Sequence, residues 1–409
     1  MKVVVPAETE QGERRVALLP DNVAALVKAG LEVEIQQGAG AACLATDAAY
    51  RGAGAVLVPD PDLAGADIVL HVRPLEPGRA GLLRPGAVTL GFCSPSTETD
   101  TVRALQRARV TSFAMELVPR ISRAQSMDAL TSQALVAGYR CVLEAAMRLP
   151  RFFPLFMTAA GTVPPAKVLV LGAGVAGLQA IATARRLGAV VSAYDVRPAS
   201  ADEVRSLGGT FVEIDLETLE GSGGYAREMT EDRARRQREL LTPFLADSDV
   251  VITTAAVPGR RAPLLVTRDM LVGMRPGSVV VDLAAETGGN VEGSLPGQEI
   301  AVELADGGTA CLLGMKDAAS ALAADASRLY SKNVTNLLEL MISDGELHLD
   351  LDDEVIAGSC LTHDGAVRHA PTATAMGEPD PDDPGDPPDD PGDPNGSDGS
   401  DAPEEGEVR

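Results

Sequence analysis

One segment restricts the fold more than any other: AKVLVLGAGVAGLQAIATARRLGAVVSAYDVR, residues 166–197. An apolar strand runs into Gly172-x-Gly174-x-x-Gly177, an alanine-rich helix follows, and a second apolar strand ends at Asp195. That sequence of strand, glycine turn, helix and strand is a parallel βαβ unit, which belongs in a sheet covered on both faces. Gly172 permits the tight turn, Gly174 lets the backbone approach a pyrophosphate, and Gly177 lets helix and strand pack closely. The helix opens at Val175 and Ala176, where unpaired N–H groups and a favourable dipole suit a phosphate. Asp195 follows Gly172 by 23 positions, where a carboxylate accepts bonds from adenosine ribose hydroxyls and repels a 2′-phosphate. The unit therefore calls for NAD(H) rather than NADP(H), with Val196 beside the acid. Arg197 pulls the other way, because a nearby arginine can serve a 2′-phosphate. Its alternatives are stacking on the adenine or a surface ion pair.

The rest of the chain repeats the alternation. KVVVP, LEVEIQQG, AVLV, DIVLHV, AVTLGF and VTSFAME precede the glycine motif, each separated by a helical or turn segment; TFVEID, DVVITTAA, SVVVDLAA and ACLLGM follow it. The fold class is α/β: two Rossmann-like, doubly wound parallel-sheet domains. A helix begins near Ser122 and ends at Pro150. The chain after Gly314 has too few strands for a third domain, so it is expected to return to the first. Residues 1–125 and 315–370 then form a discontinuous first domain, and 126–314 the NAD(H)-binding domain with its linking helix. Residues 371–409, rich in Asp, Pro and Gly, form an acidic tail expected to be disordered.

Charge narrows the partners. The tail holds 13 acidic residues against Arg409 alone, which accounts for −12 of the net −24. Neither portion offers the basic patch that nucleic acid or an anionic membrane needs. No apolar run reaches the roughly 18–20 residues needed to cross a bilayer, so no direct membrane insertion is expected. MKVVVPAETE lacks a signal-peptide core, which places the chain in the cytoplasm. Cys43, Cys93, Cys141, Cys311 and Cys360 are scattered, which argues against a disulfide framework or a metal site.

Further groups gather at strand ends. Thr254 and Ala255 close DVVITTAA, while Asp282 and Glu286 close SVVVDLAAE. GSGGYAREM is a glycine-rich loop with Tyr225, the composition of a lid. A proton donor is scarce: of four histidines only His71 precedes the glycine motif, and His348, His363 and His369 lie close to the C-terminus. Hydride transfer to a carbonyl or imine needs an acid, whereas transfer between two nicotinamide rings does not. PRISRAQSMDAL concentrates Arg120, Arg123, Gln125, Ser126 and Asp128 ahead of an apolar helix. On the bare residues, Ser122-x-x-Gln125 also reads as a capping box.

ERRVALLP, MELVPRISRAQSMDALTSQ, AGYRCVLEA, MTAAGTVPPAKVLVLGAGVAGLQAIATARRLGA, GGYAREM, TTAAVPGRRAP and GSVVVDLAAETGGN together resemble the NAD(H)-binding component, domain I, of proton-translocating NAD(P)+ transhydrogenases, relatives of alanine dehydrogenase. The resemblance implies direct hydride transfer between NADH here and NADP(H) on a partner subunit. It implies a homodimer joined by an NADP(H)-binding beta subunit and membrane-spanning proton-channel subunits, peripheral to the inner membrane. It also implies that Arg120, Gln125, Asp128 and Thr131 line the nicotinamide end. Gln125 would hold the two rings in register, Asp128 would brace Arg120, and Tyr225 would close over the dinucleotide. Phe92 stands near the position of the catalytic His of alanine dehydrogenases, and Glu286 at the position of their catalytic Asp. Arg15, which meets the substrate there, is expected to be structural here. Ala7 replaces a usual basic residue, and the family's Pro-x-Arg after Gly314 is missing. The rival readings are an alanine-type amino-acid dehydrogenase and a non-catalytic NAD-binding regulator.

Overall fold

The computed structural model describes residues 1–215, 231–257, 259–343 and 345–378. The early apolar segments become β1 (Lys2–Val5), β2 (Glu32–Gln36), β3 (Val56–Val58), β4 (Ile68–Leu70), β5 (Val88–Gly91) and β6 (Thr111–Ala114). They lie in the order β3-β2-β1-β4-β5-β6, all parallel, which is doubly wound. The segment after Pro150 forms an exposed hairpin, β7 (Phe156–Thr158) with β8 (Gly161–Val163).

The second sheet contains β9 (Lys167–Leu171), β10 (Val190–Tyr194), β11 (Thr210–Phe211), β12 (Val250–Thr253) and β13 (Val279–Asp282). At its far edge β14 (Glu299–Glu303) runs antiparallel beside β15 (Thr309–Gly314), giving the order β11-β10-β9-β12-β13-β15-β14. The α/β, doubly wound expectation holds in both sheets. After β15 the helix Ala323–Glu339 buries Tyr330, Val334, Leu337 and Leu338 in the core under the first sheet. A small hairpin, β16 (Ile342–Ser343) with β17 (Glu346–Leu347), follows. Then β18 (Cys360–His363) pairs antiparallel with β6, and β19 (Ala366–Val367) pairs with β18.

Two expectations need correction. The helix expected from Ser122 is interrupted: Ser122–Met127 is a 3₁₀ segment, and the α-helix runs Ala129–Arg148. Asp128 causes the break, because its carboxylate caps the new helix through the Thr131 N–H. The segment expected to be disordered from 371 opens instead with a helix, Ala370–Met376, which buries Thr372 and Ala373 beside β19. Pro371 at its start suits a first helical turn, and Gly377 in the left-handed region ends it. Residues 379–409 lie outside the described residues.

Candidate active site

At the end of β9 the chain turns through Gly172, whose φ of +101° suits glycine. A Cβ there would lie 2.8 Å from Thr254 Oγ1 and 3.0 Å from the Ala255 nitrogen. A Cβ on Gly177 would overlap the Gly172 carbonyl oxygen. These two glycines let the turn nest against its own helix and the end of β12. Gly174 is different, because a Cβ there meets nothing within 4 Å. It is the extended N-cap of the helix Val175–Arg186, and no side chain caps that terminus. An open hollow beside the first N–H groups of a twelve-residue helix suits the pyrophosphate of a dinucleotide.

The opposite wall is braced from β12 and β13. Thr254 Oγ1 donates to the Gly172 carbonyl at 3.0 Å. Asn290 Nδ2 donates to the carbonyls of Ala255 and Pro263, both at 2.8 Å. Asp282, fully buried, accepts from Thr253 Oγ1 and from the N–H groups of Ala284, Asn290 and Val291. Asn290 escaped the sequence reading; its only local signal is the pair of positive-φ glycines before it, Gly288 and Gly289. Asp195 accepts the Ala173 N–H at 2.7 Å and is forked by the Arg197 side chain at 2.9 and 3.0 Å. Val196 is half-buried and packs on the core beneath.

Most of the polar groups of PRISRAQSMDAL hold the loop in place. Arg123 makes a two-pronged pair with Asp353 at 2.8 and 2.9 Å. The Ser126 carbonyl accepts from Asn333 and Asn336, while Ala124 and Met127 are buried in the first-domain core. Asp128 spends both oxygens on Thr131, accepting its N–H at 2.8 Å and its hydroxyl at 2.6 Å. That N-cap is a local role for Asp128 which the resemblance did not imply. No capping box forms either: the residue ahead of the 3₁₀ turn is Ile121, with no side-chain bond. Arg120 and Gln125 are exposed. Ten residues beyond Asp128, Gly138 lies against the Ala176 backbone of the glycine-motif helix. At 1.5 Å per residue this puts the loop about 15 Å along the helix axis from that crossing.

On the first-domain side lies an ionic cluster. Arg15 donates to Glu13 through Nε and Nη2, at 2.8 and 2.6 Å, and to Gln133 Oε1 at 2.9 Å. Arg73 donates to the same Glu13 at 2.7 Å and pairs with Asp317. Burial pushes the Glu13 carboxyl up, but the hydrogen bonds and charge of Arg15, with Arg73, hold it at about 2. Glu286 accepts the Asp317 N–H at 3.1 Å; burial, then the nearby Asp317 charge, raises its pKa. Asp317 itself takes a positive φ of 49°, a conformation short acidic side chains tolerate. Its tie to Arg73 shapes the turn that lacks Pro-x-Arg. Beside it, Phe92 packs on Tyr330 with ring centroids 5.3 Å apart, and the Tyr330 hydroxyl donates to the His71 carbonyl at 2.7 Å. His71 is fully buried and its Nδ1–H donates to the Arg73 carbonyl. Burial drops its pKa to about 4, so it is neutral near pH 7. Tyr225 lies outside the described residues.

Comparison with known proteins fits this geometry. The model for "Alanine dehydrogenase/PNT, N-terminal domain" matches residues 4–137, and that for the C-terminal domain matches 141–370. The first part of the NAD(P) transhydrogenase alpha subunit of Rhodospirillum rubrum is 46% identical over 389 residues, covering 92% of this chain and 100% of that protein. Alanine dehydrogenase of Mycobacterium tuberculosis is 36% identical over 301 residues, covering 72% of this chain and 76% of that one. The crystal structure of transhydrogenase from Sinorhizobium meliloti superposes with a TM-score of 0.78 at 44% identity, covering 90% of this chain and 99% of that one. The chain therefore belongs to the alanine dehydrogenase/PNT family.

Proposed function

We propose that this chain is the NAD(H)-binding subunit of a proton-translocating transhydrogenase, working directly against NADP(H) held on a beta subunit. The observation that carries the reading is a dinucleotide cradle beside a polar cluster whose histidine and arginines are already engaged. His71 is buried and neutral, Phe92 fills the corner, and Arg15 and Arg73 are both engaged by Glu13. An amino-acid dehydrogenase would need those groups free for substrate and proton. The transhydrogenase alpha-subunit relatives, at 41–46% identity against 36% for alanine dehydrogenase, favour the same choice.

When bound, NADH supplies the hydride. The chain's residues do the positioning. Val175, Ala176 and Gly177 receive the pyrophosphate, Asp195 takes the ribose, and Thr254 and Ala255 support the turn. Arg120 and Gln125 meet the nicotinamide end, where Asp128 and Thr131 fix the loop. Catalysis is mainly proximity: two rings held in contact convert a bimolecular step into an effectively unimolecular one. The described helices include none long and apolar enough to cross a membrane; in the proposed assembly, membrane subunits carry proton translocation. The chain sits on their cytoplasmic side as a homodimer.

The test mixes the purified chain with an NADP(H)-loaded partner domain and follows reduction of an NAD analogue by NADPH. Turnover is expected only with both components. Oxidation of NADH by this chain alone with pyruvate and ammonia would refute the reading. Gln125→Asn should lower the hydride-transfer rate by about a hundredfold, the scale of a 1 Å misplacement, while NADH affinity stays within about twofold.

A further inference from the structure

We propose that Arg197 sets both the strength and the selectivity of dinucleotide binding by occupying the face of Asp195 that the adenosine ribose needs; this rests on the NAD(H) reading above. A carboxylate offers roughly four acceptor positions, and at Asp195 four donors fill them. The Ala173 N–H lies on Oδ2 at 2.7 Å and the Arg197 N–H on Oδ1 at 2.9 Å. The guanidinium adds Nε on Oδ1 at 2.9 Å and Nη2 on Oδ2 at 3.0 Å. The two backbone donors belong to the turns that build the site and stay with it. The guanidinium approaches as a fork, one donor to each oxygen. Two adjacent ribose hydroxyls present the same pattern. The Arg197 side chain is 27% exposed and that of Asp195 is 8% exposed, so the fork is the displaceable partner.

Binding of NADH thus exchanges one bidentate partner for another and breaks an ion pair on the way. The same guanidinium works against discrimination. Asp195 repels a 2′-phosphate, and a neighbouring cation cancels part of that repulsion. Arg197 is therefore a specificity-determining residue that lowers NADH affinity and softens the rejection of NADPH.

The experiment compares Arg197→Met and Arg197→Lys with the unaltered chain by fluorescence titration of NADH and NADPH, with melting curves to verify folding. Methionine keeps the length and apolar stem but has no donors; lysine keeps the charge but has no fork. Arg197→Met should bind NADH about three- to tenfold tighter, the gain from not breaking one partly exposed ion pair. Its NADPH-to-NADH ratio of Kd values should rise at least about tenfold, with Arg197→Lys in between. Weaker NADH binding by a folded Arg197→Met would overturn the proposal by making Arg197 a ligand contact, and unchanged affinities for both dinucleotides would overturn it too. If the unaltered chain bound no NADH, the underlying reading would fall with it, which the variants alone would not cause.

Discussion

Glu13 is the residue whose protonation the first-domain ionic cluster can least tolerate, since its two oxygens serve Arg15 and Arg73 together. Its carboxyl sits at about 2 in the folded chain against an ordinary 4.5. A depressed folded pKa gives stability that is present above about pH 4.5 and is lost as the pH falls toward 2. The amount is on the order of 3 kcal/mol. Glu13→Gln should lower the melting temperature at neutral pH and flatten the decline between about pH 4.5 and 2; parallel melting curves for variant and parent would refute it. The glycines and Asp195 were legible in the sequence because their motif is local, with every spacing set by one βαβ unit. The uses of Arg123 and Ser126 were not, because their partners, Asp353 and Asn333, lie more than 200 residues away. Asn290 was illegible for a related reason: it serves Ala255 across 35 positions.

Among the elements, the crossing of Ala129–Arg148 with Val175–Arg186 holds the glycine turn in place. Gly138 is the contact point, and a Cβ there would overlap the Ala176 carbonyl group, which is backbone and cannot rotate away. Helix propensity alone makes Gly→Ala stabilising by about 1 kcal/mol, whereas overpacking a close crossing costs about 1–3 kcal/mol. The sign therefore reports the crossing. Gly138→Ala should lower the melting temperature and weaken NADH binding by displacing the helix N-terminus; a raised melting temperature with unchanged affinity would contradict it. Central strands such as Val250–Thr253 and Val279–Asp282, buried throughout, could be read directly because two covered faces demand continuous apolar runs. The edge strand Glu299–Glu303 could not, since Val302 is its one buried residue. Nor could the break at Asp128, where an apolar pattern continues on both sides of a residue that prefers to cap.

At the scale of the whole molecule, one run of exposed large apolar side chains follows the linking helix into the hairpin after it. Leu135, Tyr139 and Met147 are exposed at 41%, 38% and 77% along one i, i+4 row of the helix Ala129–Arg148, with Leu143 half-buried between them. Beyond the helix come Phe152, Leu155, Phe156 and Met157, the last two on a hairpin whose six strand residues are all exposed. Two isolated strands are marginal in water, and a cluster of large apolar side chains of this kind marks an association surface. A second copy of the chain is the occupant that the proposed homodimer requires, and an isologous contact would place each hairpin against its partner's equivalent face. Met157→Asp would put a charge into that contact without touching the glycine turn or Asp195. Sedimentation should show the parent at twice the monomer mass and the variant shifted toward monomer, with NADH affinity retained within about twofold, because every residue of the proposed cradle lies on one chain. A variant that sediments with the parent would place the dimer contact elsewhere on the molecule.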